Sequence, residues 1–141
     1  MHQTTFVQPA AVTRRWHIAS AKGQVLGKLA VKIANALSGR DQASWSPSVD
    51  AGAFVVVTDA EAVVLTGKKE TDKTYRFHSG YMGGITEINA ATMRASHPER
   101  IIELAVKRML PKTIQGRHQL KRLKVYKGAA HPHAGAKPSP L

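Results

Sequence analysis

The side chains best placed to do chemistry in this chain are cationic. Lys68 and Lys69 follow a turn at Gly67, and Lys73, Arg76 and His78 are interleaved with Tyr75 and Phe77. Arg108, Lys112, Arg117, Lys121, Arg122, Lys124 and Lys127 crowd the C-terminal part, and Lys28 and Arg40 add charge earlier. Such groups neutralise phosphates and release the counterions condensed on a nucleic acid, while neighbouring glycines let the backbone come close. Tyr81, in a loop at 79–84 with three glycines, supplies a ring that can stack on a base. His131 and His133 add two imidazoles able to hydrogen-bond or stack. Residues 101–141 hold nine basic residues against one acid, whereas residues 51–100 hold six of each. A formal charge of +12 placed this unevenly points to a polyanionic partner, and an uncompensated block of this size repels itself until an anion neutralises it.

Other chemistries fail on spacing. Gly23 and Gly27 before Lys28 imitate a phosphate loop, but three residues separate the glycines instead of four, and Leu29 stands where a hydroxyl is needed. Gly80, Gly83 and Gly84 miss the dinucleotide fingerprint. His131 and His133 make two ligands without a third, and cysteine is absent, so neither a thiolate metal site nor a cysteine nucleophile can be built. The acids form no evident catalytic pair, and no Gly-x-Ser-x-Gly elbow occurs. The expectation is a protein that is not an enzyme, with no cofactor, no metal, no small-molecule substrate and no membrane contact. No apolar run approaches the roughly 20 residues of a membrane span. Residues 1–15 carry two arginines and no acid, which leaves an organellar transit segment as an alternative.

The elements that position these cations follow from periodicity. Residues 1–15 read as an extended arm, 16–126 as one domain, and 127–141, rich in Gly, Ala and Pro, as an extended tail lying along something else. A strand is expected at 16–19, with Trp16 anchoring the arm. A helix is expected at 25–38, where Leu26, Leu29, Ala30, Ile33, Ala34 and Leu37 form one face and Gly39 ends it. The run at 54–58 reads as a strand buried on both faces, followed by a short strand at 63–65, an edge strand at 73–78 and another at 85–88. Asn89 should cap a helix at 90–95, and Ser96 with Glu99 should form a capping box for a helix ending at Pro111. A short helix weakened by Gly116 is expected at 113–122 and a last strand at 123–126. Trp45 reads as core about twice as readily as a stacking platform.

Taken together, Trp16-His17-Ile18, Gly27-Lys28-Leu29-Ala30, Ser46-Pro47-Ser48-Val49-Asp50, Leu65-Thr66-Gly67-Lys68-Lys69, His78-Ser79-Gly80-Tyr81 with Gly83-Gly84, Arg108-Met109-Leu110-Pro111, Leu123-Lys124-Val125-Tyr126 and His131-Pro132-His133 resemble, in order and spacing, the bacterial-type L-thirteen family of large-subunit ribosomal proteins. The resemblance implies a three-layer α/β/α fold with a mainly parallel central sheet and a basic C-terminal extension. It also implies binding to large-subunit (23S) rRNA, neighbouring large-subunit ribosomal proteins as partners, an early place in assembly, and a cytoplasmic location in the ribosome. It further places the Gly67 turn, the 78–84 loop, the 109–111 corner and the tail on or near RNA. The short arm resembles that of bacterial members, which argues against a transit segment. Asp59 and Ala136 depart from the family pattern, where Asn and Gln are frequent, and leave the tail's contacts open. With no signature of a base-reading module, binding by shape and phosphate is the expectation. Regulation through a messenger RNA on the same surface is the alternative.

Overall fold

A computed structural model describes residues 7–141. Four strands, β1 (Trp16–Ser20), β2 (Phe54–Thr58), β5 (Leu123–Val125) and β6 (Ser139–Pro140), form a parallel sheet in the order β5-β2-β1-β6. Three helices, α1 (Leu26–Ser38), α4 (Pro98–Met109) and α5 (Ile114–Lys121), pack against it, while α2 (Lys69–Asp72) and α3 (Ala90–Ser96) pack on each other and α3 also on α4. The fold is thus α/β with a mainly parallel central sheet flanked by helices, as the resemblance implies. A separate antiparallel hairpin joins β3 (Thr74–His78) to β4 (Ile85–Asn89).

The sequence explains these elements. β2 is central and covered on both faces, which is why Val55, Val56 and Val57 form a continuous apolar run without alternation. α1 buries Leu29, Ile33 and Leu37, and ends at Gly39, whose φ of 76° is the left-handed conformation that closes a helix. Ile101, Ile102 and Val106 of α4 complete the core against α1. Asp59 also takes a left-handed φ of 56°, a conformation that Asn and Asp tolerate better than other side chains, and its carboxylate accepts from Ser20 Oγ at 2.9 Å.

Several expectations are corrected. Residues 63–65 do not form a strand; Val64 makes a single parallel bridge with Val25 after a 3-10 turn at Ala60–Ala62. The 73–78 strand is not an edge of the main sheet but half of the hairpin, with Tyr75 opposite Ile88. Ser96 is no capping residue: it closes α3, donating to the Thr92 carbonyl at 3.0 Å. Pro98 at the start of α4 forces its predecessor out of helical geometry, so the break falls at His97 (φ −140°, ψ 72°). Asn89 stands at the N-cap of α3 without a side-chain hydrogen bond.

The tail lies along the domain itself: Ser139 and Pro140 pair with His17 and Ile18, and the amides of Asp59 and Ala60 donate to the carbonyls of Gly128 and Tyr126. Of the expected arm, residues 1–6 lie outside the described residues, and Pro9–Ala11 forms a 3-10 turn.

Candidate nucleic-acid interface

The cations of the C-terminal region sit on elements whose opposite sides are core. α4 buries Ile101, Ile102 and Val106 and so turns Arg100, Lys107 and Arg108 outward. α5 begins where the Thr113 hydroxyl accepts from the Gly116 amide at 3.3 Å, and it exposes Arg117 and Lys121. Arg100, Lys107, Arg117 and Lys121 surround one groove, and Lys107, Lys112 and Arg117 a second hollow beside Pro111. Lys124 is exposed on β5 and Lys28 on α1.

Lys68, Lys69 and Lys73 gather around the Gly67 turn, where Lys69 Nζ donates to Thr66 Oγ1 at 2.9 Å and Lys73 lies over the Tyr75 ring at 5.2 Å. Two of these ammonium groups are therefore oriented before any ligand arrives. At the hairpin tip Tyr81 is 79% exposed and Met82 92% exposed, and His78 Nδ1 accepts from the Gly80 amide at 2.9 Å, which shapes the loop. Arg40 lies over the half-open ring of Trp45 at 5.4 Å, at the rim of a cleft that also includes Met109 and Pro111. Trp45 is thus a surface ring instead of the core residue expected.

Four predicted contacts are already engaged. Arg76 donates to Glu87 across the hairpin at 2.6 Å, and Lys127 pairs with Glu61 at 3.0 Å, both in exposed positions where such pairs are weak and can open. His133 joins a ring cluster: its Nε2 is 2.8 Å from Tyr126 Oη, and its ring packs on Trp16, which stacks on Phe54 at 4.4 Å. His131 sits against the Tyr126 ring, and its Nδ1 accepts from the His133 amide. These imidazoles hold the tail to β1 and β2. Arg76 and Lys127 stay exposed, the two imidazoles are half-buried in the ring cluster, and Arg122 is buried.

Arg122 is a correction to the expected patch. It is 7% exposed and forks onto Asp50 with bonds of 2.5 and 2.6 Å, while donating to the Leu37 carbonyl at 3.0 Å. Burial alone would raise the Asp50 pKa, but the Arg122 hydrogen bond and charge, with help from Arg14 and the Gly52 amide, hold it below its ordinary 3.8.

The sequence reading missed Arg94, which forks onto Glu70 at 2.8 and 2.9 Å and donates to the carbonyls of Glu61 and Val63, tying α3 to the turn before Lys68. It also left Arg100 and Lys107 out of the patch, although their spacing with Glu103 and Leu104 marks one stripe of α4.

Among the described residues no cluster of three or more His, Asp or Glu could hold a metal, and no helix is long and apolar enough to cross a membrane. Fold and surface together define a basic α/β scaffold protein whose charge is presented from loops and helix faces. The chain belongs to the ribosomal protein L13 family: the family described as Ribosomal protein L13 matches residues 14–132. The "Large ribosomal subunit protein uL13" of Thermotoga petrophila is 50% identical over the whole chain and 95% of its own length. The proteins of the same name from Chloroflexus aggregans and Ectopseudomonas mendocina are each 49% identical, covering 98% and 99% of this chain and 96% and 98% of their own. The family is one of structural ribosomal proteins, so this protein is not an enzyme.

Proposed function

We propose that this protein is a structural constituent of the bacterial large ribosomal subunit, cytoplasmic in the ribosome. It binds large-subunit rRNA by neutralising phosphates, touches neighbouring ribosomal proteins, and braces a junction of RNA helices early in assembly. The observation that carries this reading is the set of exposed cations left without carboxylate partners. Among the described residues, the salt bridges from residue 101 onward involve Arg122 and Lys127 alone. Lys107, Arg108, Lys112, Arg117, Lys121 and Lys124 are exposed and face no acid within salt-bridge distance. Unpaired charge at this density is costly in the free protein and is relieved by a polyanion. The Gly67 turn offers a second contact through Lys68 and Lys69, and the hairpin tip a third through Tyr81. The alternative of a messenger-RNA regulator draws support from neither the fold nor the relatives.

Sucrose-gradient fractionation of a bacterial lysate tests the reading. The wild-type chain should co-sediment with the large subunit at moderate salt, and the Arg117→Glu, Lys121→Glu double variant should shift toward the free fractions with its circular dichroism unchanged. A wild-type chain found free at moderate salt would sink the ribosomal reading. Equal partition of the two forms would remove the α5 patch from it.

A further inference from the structure

Tyr75 and Phe77 are two residues apart on β3 and so share a face of the hairpin, yet Tyr75 is 3% exposed and Phe77 37%. The hairpin has run past the edge of the core, leaving the Phe77 ring uncovered. Opposite it stand α4 and α5, and the groove between has a volume of about 750 Å3, within the roughly 300–1,000 Å3 of ligand clefts. Its apolar lining is Phe77, Leu104, Leu120 and Leu123. Around these stand four cations, Arg100, Lys107, Arg117 and Lys121, and a single carboxylate, Glu103.

Glu103 is an acceptor without a donor. It is exposed at the groove's edge and, among the described residues, takes part in no hydrogen bond or salt bridge, even with four cations around the same groove. Burial, then repulsion from Glu99, pushes its pKa up despite Arg100. An occupant that suits this groove has a flat apolar face for Phe77, an N–H for Glu103 and negative charge for the rim. An acidic peptide meets the rim but sets carboxylates against Glu103. A nucleotide meets all three requirements, because every base has a stacking face and its phosphates are held apart from its edge.

We propose that the groove between β3 and the α4–α5 pair is a subsite for one unpaired RNA nucleotide, its base stacked on Phe77, its exocyclic amine donating to Glu103 and its phosphates held by Arg117 and Lys121. This rests on the RNA-binding reading above and adds a base contact to it. With Glu103 facing the exocyclic group, adenine or cytosine, which present an amine there, are favoured over uracil, which presents a carbonyl there and carries its N3–H on the adjoining ring position.

Fluorescence anisotropy of the full chain with labelled pentaadenylate, pentacytidylate and pentauridylate tests this, alongside a structured large-subunit rRNA fragment. The adenylate and cytidylate should bind at least about fivefold more tightly than the uridylate. Glu103→Gln, whose amide both donates and accepts, should erase that preference. Phe77→Leu, which keeps the apolar bulk without the flat ring, should weaken all three oligonucleotides by about fivefold or more. Equal affinity for the three oligonucleotides, or wild-type binding by both variants, overturns the subsite; if the rRNA fragment still binds, the phosphate-neutralising reading stands without it. A wild-type chain that binds neither the oligonucleotides nor the fragment overturns both. Displacement from the groove by a Glu- and Leu-rich peptide while RNA stays bound elsewhere reassigns it to a protein partner and overturns the nucleotide.

Discussion

Arg122 and Lys121 are neighbours in one basic stretch with opposite fates. Nothing local separates them, because the partner that buries Arg122 is Asp50, 72 residues away, together with the Leu37 carbonyl at the end of α1. Composition made both look like phosphate ligands, and only the tertiary fold tells a structural arginine from a binding one. Arg122 locks the loop before β2 against the segment leading into β5, and Gly52 has no room for a side chain there: a Cβ would lie 1.7 Å from the Leu37 oxygen. Replacing Arg122 by Ala leaves the half-buried Asp50 with only the Gly52 amide and Arg14, 3.7 Å away, and should lower unfolding free energy by about 3 kcal/mol in urea melts. The same pair makes stability fall in acid. Asp50 titrates below 3.8 when folded and near its ordinary value when unfolded, so its contribution is complete above that value and is lost as pH falls through the folded pKa. The stability gap between wild type and Asp50→Asn should therefore be largest near neutral pH and shrink below about pH 4. A gap that stays constant across this range would separate the pair from acid denaturation.

At the scale of elements, the corner between α4 and α5 decides where the main cationic patch points. Gly116 reads in the sequence as a weakness in a short helix, since glycine costs about 1 kcal/mol against alanine in a helix interior. The structure gives it another role: a Cβ at Gly116 would stand 1.9 Å from the Pro111 carbonyl oxygen, so only glycine lets α5 sit down on the corner that Pro111 makes. Gly116→Ala should accordingly destabilise by about 1–3 kcal/mol in urea melts, in spite of its gain in helix propensity. A stabilised variant would mean that the corner yields freely and that Arg117 is not held in place by it. The same contrast explains what periodicity could and could not supply. α1, α4 and the buried run of β2 were legible because each carries its own apolar pattern. The end of α3 was misplaced by one residue because the Ser96 to Glu99 spacing imitates a capping box, while Pro98 dictates the break.

At the scale of the molecule, most strands could be found in the sequence but not their neighbours. A parallel sheet joins strands distant in the chain, and β6 is two residues of a Gly- and Pro-rich tail with no strand pattern of its own. Its place beside β1 follows from the ring cluster of Trp16, Tyr126 and His133, which turns the tail back across the domain. The candidate interface was legible as charge, since nine bases against one acid need no structure to be counted. It was not legible as geometry, since pairing by Glu87, Glu61 and Asp50 removes some cations and weakens others. What survives is enough for a strongly electrostatic complex. If six to ten phosphates are neutralised, affinity for a large-subunit rRNA fragment should fall roughly 10³- to 10⁵-fold between 50 and 200 mM salt. Removing two of those contacts with the Arg117→Glu, Lys121→Glu variant should flatten the slope of log affinity on log salt by about two units. An unchanged slope would mean that these helices face something other than phosphate, and the weight of binding would pass to the Gly67 turn and the hairpin tip.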